Sequence, residues 1–199
     1  IRKITPDGHV STIAGVSESG YVNGPSTAAR FNEPADIAIN EQGQFFVSDS
    51  GNQVIRLIAA NTVSTYAGMA TNFNKETGYF EGDYAAGQKE ATRFNFPRGL
   101  HYAGGYLFIA DSYNNQVRAV TPEGKVLTLA GQLEAGDVEG AASTALFDTP
   151  NAVYYANNKL YVTDTGNRKI KSFALNLTNV QGIMSADELI ASTPLLPAS

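Results

Sequence analysis

The sequence predicts an all-β fold of repeated antiparallel sheets, and three observations carry that prediction. The phrase DSGNQVIR at 49–56 returns as DSYNNQVR at 111–118 and as DTGNRKIK at 164–171. Every copy keeps Asp, then Asn three residues on, an aliphatic residue, and a base directly after it. Other landmarks recur in the same order, with STIAG, STYAG and LTLAG (11–15, 64–68, 127–131) closing units and ARFNEP, TRFNFP and ALFDTP (29–34, 92–97, 145–150) opening them. The composition agrees: 19 Gly, 10 Tyr and 10 Phe pair turn formers with strand formers.

The elements follow in order within each unit. After the proline, DIAIN (36–40), GLHYA (99–103) and AVYYA (152–156) read as first strands. NEQG, YAGG and YANN turn the chain back. QFFVSD, YLFIAD and KLYVTD come next; they are apolar on both faces, as strands buried between neighbouring sheets are. The Asp-x-x-Asn turn leads to VIRLI, QVRAV or KIKSF. A further turn such as TPDG (5–8) or TPEG (121–124) leads to HVSTIAG or KVLTLAG. Four short antiparallel strands in a unit of about fifty residues is the pattern of a propeller blade. The opening IRKI matches the end of the same phrase, the tail of a further copy. The middle connector, 69–91, is longer than its counterpart, an insertion that spares the strands.

With three copies in register, ARFNEPADIAI, FFVSDSGNQVIRLI and VSTYAG resemble the NHL-repeat family of β-propellers over roughly residues 1–173. The resemblance implies a ring of four-stranded antiparallel blades, of which this chain would hold about three to four, as part of a larger ring. The blade region is placed at 1–175: a partial blade at 1–15, blades at about 31–68 and 94–131, and a last blade at 147–184. Residues 185–199 read as a short helix, SADELIAS with Ser185 and Glu188 as a capping box, followed by a linker.

The repeated polar residues read as architecture. Asp49, Asn52, Asp111, Asn114, Asp164 and Asn167 are expected to pin the corner between second and third strands, because short polar side chains bond nearby amides. Gly51 and Gly166 are expected to supply positive φ there. Arg56, Arg118, Arg2 and Lys171 are expected to pair with carboxylates of adjacent blades. A cation held by the three aspartates would need them gathered around one ion, which separate blades do not allow.

Unrepeated residues on the first strands are the better candidates for a ligand site. Asp36, Arg98, His101, Asn151 and Tyr154 are expected on the rim of the central channel, where a small polar ligand or a protein would bind. Catalysis is poorly served. The only histidines are His9 and His101, cysteine is absent, and no Gly-x-Ser-x-Gly occurs, so neither a catalytic residue nor a metal ligand set is assigned. The connector acids Glu81, Asp83, Asp137 and Glu139 read as solvated. The connector aromatics Tyr21, Tyr79, Phe80 and Tyr84 read either as covering the gap between blades or as meeting a partner. A net charge of −5 argues against nucleic acid, and no apolar run is long enough for a membrane helix. The expected function is a non-catalytic binding or scaffold module, without a cofactor. It would belong to a larger, exported protein, extracellular or on the cell surface, with further domains of the same polypeptide. The alternative is part of a metal-dependent propeller lyase or hydrolase, with calcium as its cofactor.

Overall fold

The computed structural model describes residues 1–177. The expected helix and linker at 185–199, and the last blade beyond residue 177, lie outside the described residues. The described chain is a succession of antiparallel sheets. Blade I is a pair, β1 (Arg2–Ile4) and β2 (Val10–Thr12). Blade II joins β3 (Gly24–Pro25), β4 (Pro34–Ile39), β5 (Phe45–Asp49), β6 (Val54–Ala59) and β7 (Thr62–Ala67) in the spatial order β3-β7-β6-β5-β4. The long connector then forms a small hairpin of its own, β8 (Phe73–Asn74) with β9 (Tyr79–Phe80). Blade III repeats blade II, with β10 (Gly87–Gln88), β11 (Pro97–Ala103), β12 (Tyr106–Asp111), β13 (Gln116–Val120) and β14 (Lys125–Ala130). Blade IV has β15 (Pro150–Ala156), β16 (Lys159–Asp164) and β17 (Lys169–Ala174).

The four-stranded meander thus matches the blade pattern, and a short connector strand, β3 or β10, adds a fifth on the outside. That addition was not legible in the sequence, because two paired residues carry no periodicity. Each first strand opens with a register shift just past its proline, at Pro34/Asp36, Pro97/Leu100 and Pro150/Ala152. Proline has no N–H to give the ladder, so pairing resumes further along. The residue before each proline, Glu33, Phe96 or Thr149, has φ near +50° (52°, 49° and 52°).

The core lies between successive sheets. Ala38, Phe46 and Ile55 of blade II pack on Leu100, Leu107 and Ile109 of blade III. Phe108 and Val117 of blade III pack on Val153, Leu160 and Val162 of blade IV. Burying both faces of β5 and β12 explains why those segments are apolar on alternate sides. One glycine is required by this packing: a Cβ on Gly99 would lie 2.5 Å from Ala152 Cα and 2.7 Å from Asn151 O, where first strands of neighbouring blades converge.

Candidate functional site

The repeated corner is built identically three times. Asp49 Oδ1 accepts the Asn32 amide at 2.6 Å, while Oδ2 accepts Asn52 Nδ2 at 2.8 Å and Arg56 Nη1 at 2.6 Å. Asp111 accepts from Asn95 N (2.8 Å), Asn114 Nδ2 (2.9 Å) and Arg118 Nη1 (3.2 Å). Asp164 accepts from Asp148 N (2.7 Å), Asn167 Nδ2 (2.8 Å) and Lys171 Nζ (2.7 Å). The asparagines also donate outward, to the carbonyls of Gly20, Asp83 and Gly136 in the connectors. The cation completes the staple: Arg56 donates to Arg30 O and Val22 O, Arg118 to Arg93 O and Ala85 O, and Lys171 to Leu146 O. Each carboxylate is therefore saturated by its own blade.

Two expectations about this corner are corrected. Arg56, Arg118 and Lys171 pair with the aspartate of their own blade rather than an adjacent one, because seven residues across the corner return the base beneath the carboxylate. Positive φ falls on Gln53, Asn115 and Arg168, not on Gly51 or Gly166. Those glycines are small for another reason: a Cβ would lie 2.7 Å from the Asn32 side chain and 2.2 Å from Asp148 Cγ. Tyr113 stands at this place in blade III.

Burial sets the electrostatics. Desolvation pushes Asp49 upward, and pushes Asp111 up to about 6, against the hydrogen bonds and cations that oppose it. Burial pulls Lys171 down, but its bonds to Asp164 and Asp137 outweigh that and raise it. The connector aromatics resolve in part as covers: Tyr21 and Phe31 sandwich the Arg56 guanidinium, each about 5.0 Å from it, and Tyr84 and Phe94 do the same for Arg118 at 4.8 and 5.1 Å. Asp83 and Asp137 are exposed and ion-paired, with Arg93 and with Lys169 and Lys171.

The candidate rim separates into parts. Asp36 is occupied by backbone, its Oδ2 accepting Leu100 N across the blade boundary and its Oδ1 accepting Ile37 N, both at 2.8 Å. Arg98 and Asn151 meet at 3.4 Å, and His101 stacks edge-on to Tyr154 with ring centroids 4.6 Å apart. Burial pulls His101 below its ordinary value, opposed by Asp36 and the Tyr155 backbone. Arg98 also lines a groove of about 240 Å³ with Glu33, Pro34, Ala35, Ser50 and Phe96.

Beside that groove runs a ladder of rings: Tyr79 to Phe96 at 5.4 Å, Phe96 to Tyr113 at 4.8 Å, and the Arg98 guanidinium 6.0 Å from the Tyr113 ring. Tyr79 donates to Glu33 Oε1 at 2.6 Å, a bond that raises the phenol. Phe96 and Tyr113 were missed as candidates. Their signal is that Phe96 replaces Glu33 and Thr149 of the other copies, and Tyr113 replaces the corner glycine. Among the described residues, no three His, Cys, Asp or Glu side chains come together as a metal site.

A family model described as "NHL repeat" matches residues 31–56, the first strand through the Arg56 corner of blade II. That stretch therefore carries an NHL repeat, and the chain is similar to NHL-repeat proteins. It is 27% identical over 161 residues to NHL repeat-containing protein 2 of Bos taurus, covering 76% of this chain and 22% of that protein. It is 40% identical over 62 residues to Protein SUPPRESSOR OF QUENCHING 1, chloroplastic, of Arabidopsis thaliana, covering 31% of this chain and 6% of that one. The chain thus spans less than a quarter of these relatives' length. Among solved structures, a protein of unknown function from Bacteroides thetaiotaomicron superposes with a TM-score of 0.67 at 20% identity, over 85% of this chain and 40% of that one. An auxiliary nutrient binding protein from the same organism gives 0.65 at 16% identity, over 86% and 42%. These likenesses establish the propeller fold of the NHL-repeat chain.

Proposed function

We propose that this NHL-repeat chain is a non-catalytic binding module, and that its working surface is the groove where Glu33, Phe96 and Arg98 meet the exposed ring of Tyr113. The observation that carries this reading is the contrast between the two sets of polar residues. The repeated aspartates are saturated inside their blades, whereas Arg98 and Tyr113 are unrepeated and reach solvent. An arginine beside a tilted ring pair suits a carboxylate joined to an apolar group, as in an acidic and aromatic peptide. The similarity in fold to a nutrient binding protein supports binding in general and names no ligand.

A phage-displayed peptide library panned on the intact protein tests it. The reading expects enriched sequences that pair Asp or Glu with an aromatic residue, with affinity falling about tenfold or more in Arg98→Ala and in Tyr113→Ala. Enriched peptides that bind both variants as well as the parent protein would place the site elsewhere.

A further inference from the structure

Resting on the groove between blades II and III as the working surface, we propose that its ligand is a peptide bearing both signs of charge. A base lies against Glu33, an acid against Arg98, and Tyr79 is the positioning residue that holds Glu33 ready. Three unrepeated features converge here. Glu33 stands where the other blades have Phe96 and Thr149, and Arg98 where they have Ala35 and Asn151. Among the described residues, the β8–β9 hairpin that delivers Tyr79 occurs only in the long connector. At the joint of blades III and IV the same two places hold Phe96 and Asn151, both neutral, so the facing acid and base belong to the joint of blades II and III.

Opposite charges that line one groove ordinarily pair. Here each is held by a neutral partner instead: Glu33 Oε1 accepts the Tyr79 hydroxyl at 2.6 Å, and Arg98 Nη1 donates to Asn151 Oδ1 at 3.4 Å. Among the described residues, no ion pair involves Glu33 or Arg98. Tyr79 is itself fixed from both sides. Asn32 Nδ2 donates to Gly78 O at 2.8 Å and Gln53 Nε2 to Phe80 O at 3.1 Å, so blade II clamps the residues before and after it. Phe80 also packs edge-on against Tyr21, with ring centroids 5.6 Å apart. Both charges keep capacity for a ligand, since a carboxylate accepts more than one donor and a guanidinium has several further N–H groups.

The ring ladder sets the order of the ligand's groups. Glu33 is bonded to Tyr79 at one end, Phe96 lies in the middle, and Arg98 faces Tyr113 at the other end. The steps of 5.4, 4.8 and 6.0 Å are comparable with the spacing of same-face side chains in an extended peptide, about 6.6 Å. A base, an aromatic residue and an acid at alternate positions match that order, with the aromatic ring on Phe96 and Tyr113. A groove of about 240 Å³ suits side-chain heads of a strand lying across it.

A phage-displayed peptide library panned on the intact protein and its variants tests the charge pairing. Peptides enriched on the parent protein should carry Lys or Arg two residues from the aromatic one, on the side away from Asp or Glu. Panning on Glu33→Gln should lose the base and keep the acid, and panning on Arg98→Gln should do the reverse. Fluorescence anisotropy with an enriched peptide, and with a copy carrying Gln in place of its base, tests Tyr79. Tyr79→Phe should weaken the base-bearing peptide about fivefold, the worth of one hydrogen bond, and leave the Gln copy unchanged. Equal weakening of both peptides, or of neither, would remove Tyr79 from that role. Enriched peptides that need Arg98 but carry no base, or whose base survives Glu33→Gln, would overturn the paired charges and leave the binding surface standing. No enrichment, or peptides indifferent to both Glu33 and Arg98, would overturn both.

Discussion

Replacing Arg118 with methionine should be among the most damaging single changes in the chain, and the structure sets the size of the loss. The guanidinium and Asp111 are both 0% exposed. Methionine retains an apolar stem but deletes the 3.2 Å contact to Asp111, the 2.7 Å bonds to Arg93 O and Ala85 O, and the 3.2 Å bond to Thr92 Oγ1. Breaking a buried pair from one side costs about 3–5 kcal/mol, because the remaining charge stays desolvated. The cost should also depend on pH. Asp111 already sits at about 6 with Arg118 beside it, against an ordinary 3.8, and losing the cation raises it further. A carboxyl raised on folding binds its proton more tightly in the folded chain. Its stabilisation is complete below the ordinary value and is lost as pH rises through the folded one. Urea unfolding of parent and variant should therefore give the smallest difference near about pH 4 and a growing one towards about pH 7. A loss below about 1 kcal/mol at neutral pH, or a loss that shrinks as pH rises, would refute the claim that this pair holds the corner.

Two further outcomes follow from the packing. Gly99→Ala should destabilise the protein by about 2 kcal/mol or more in the same assay, since its Cβ would meet blade IV backbone that cannot retreat; a change within about 0.5 kcal/mol would show that the first strands are not in contact. His101, half-buried beside Tyr154, should titrate by NMR with a midpoint below its ordinary 6.5. Its neutral form is favoured by folding, so its stabilisation is present above that value and lost as pH falls through the depressed one. A midpoint above 6.5 would place the ring in a different environment.

Much of the fold was legible because it is written three times. Recurrence of the Asp-x-x-Asn phrase between valine-rich strands located the second and third strands of each blade, and the Ala-Gly pair located the fourth. The partners of the bases were not legible. Arg56 lies seven residues after Asp49, across a corner whose left-handed residue is Gln53 rather than a glycine, and only the folded corner shows that the chain returns beneath its own carboxylate. The unrepeated residues of the first strands were legible as a set, but not which of them backbone groups occupy. Asp36 looked like a ligand group and serves the Leu100 amide, a contact between blades that no local pattern encodes. No local pattern marks Phe96 and Tyr113 as a surface pair, because aromatic residues in a β protein are ordinarily core.

The central claim is that the recurring aspartates shape backbone. Amide hydrogen exchange at Asn32, Asn95 and Asp148 tests it most directly, because these three amides lie outside the ladders and each donates to a corner carboxylate. They should exchange as slowly as the amides of central strand residues such as Ile109, and Asp111→Ala should release Asn95 first. Exchange at the rate of an open turn in the parent protein, with Asp111→Ala leaving it unchanged, would contradict the account.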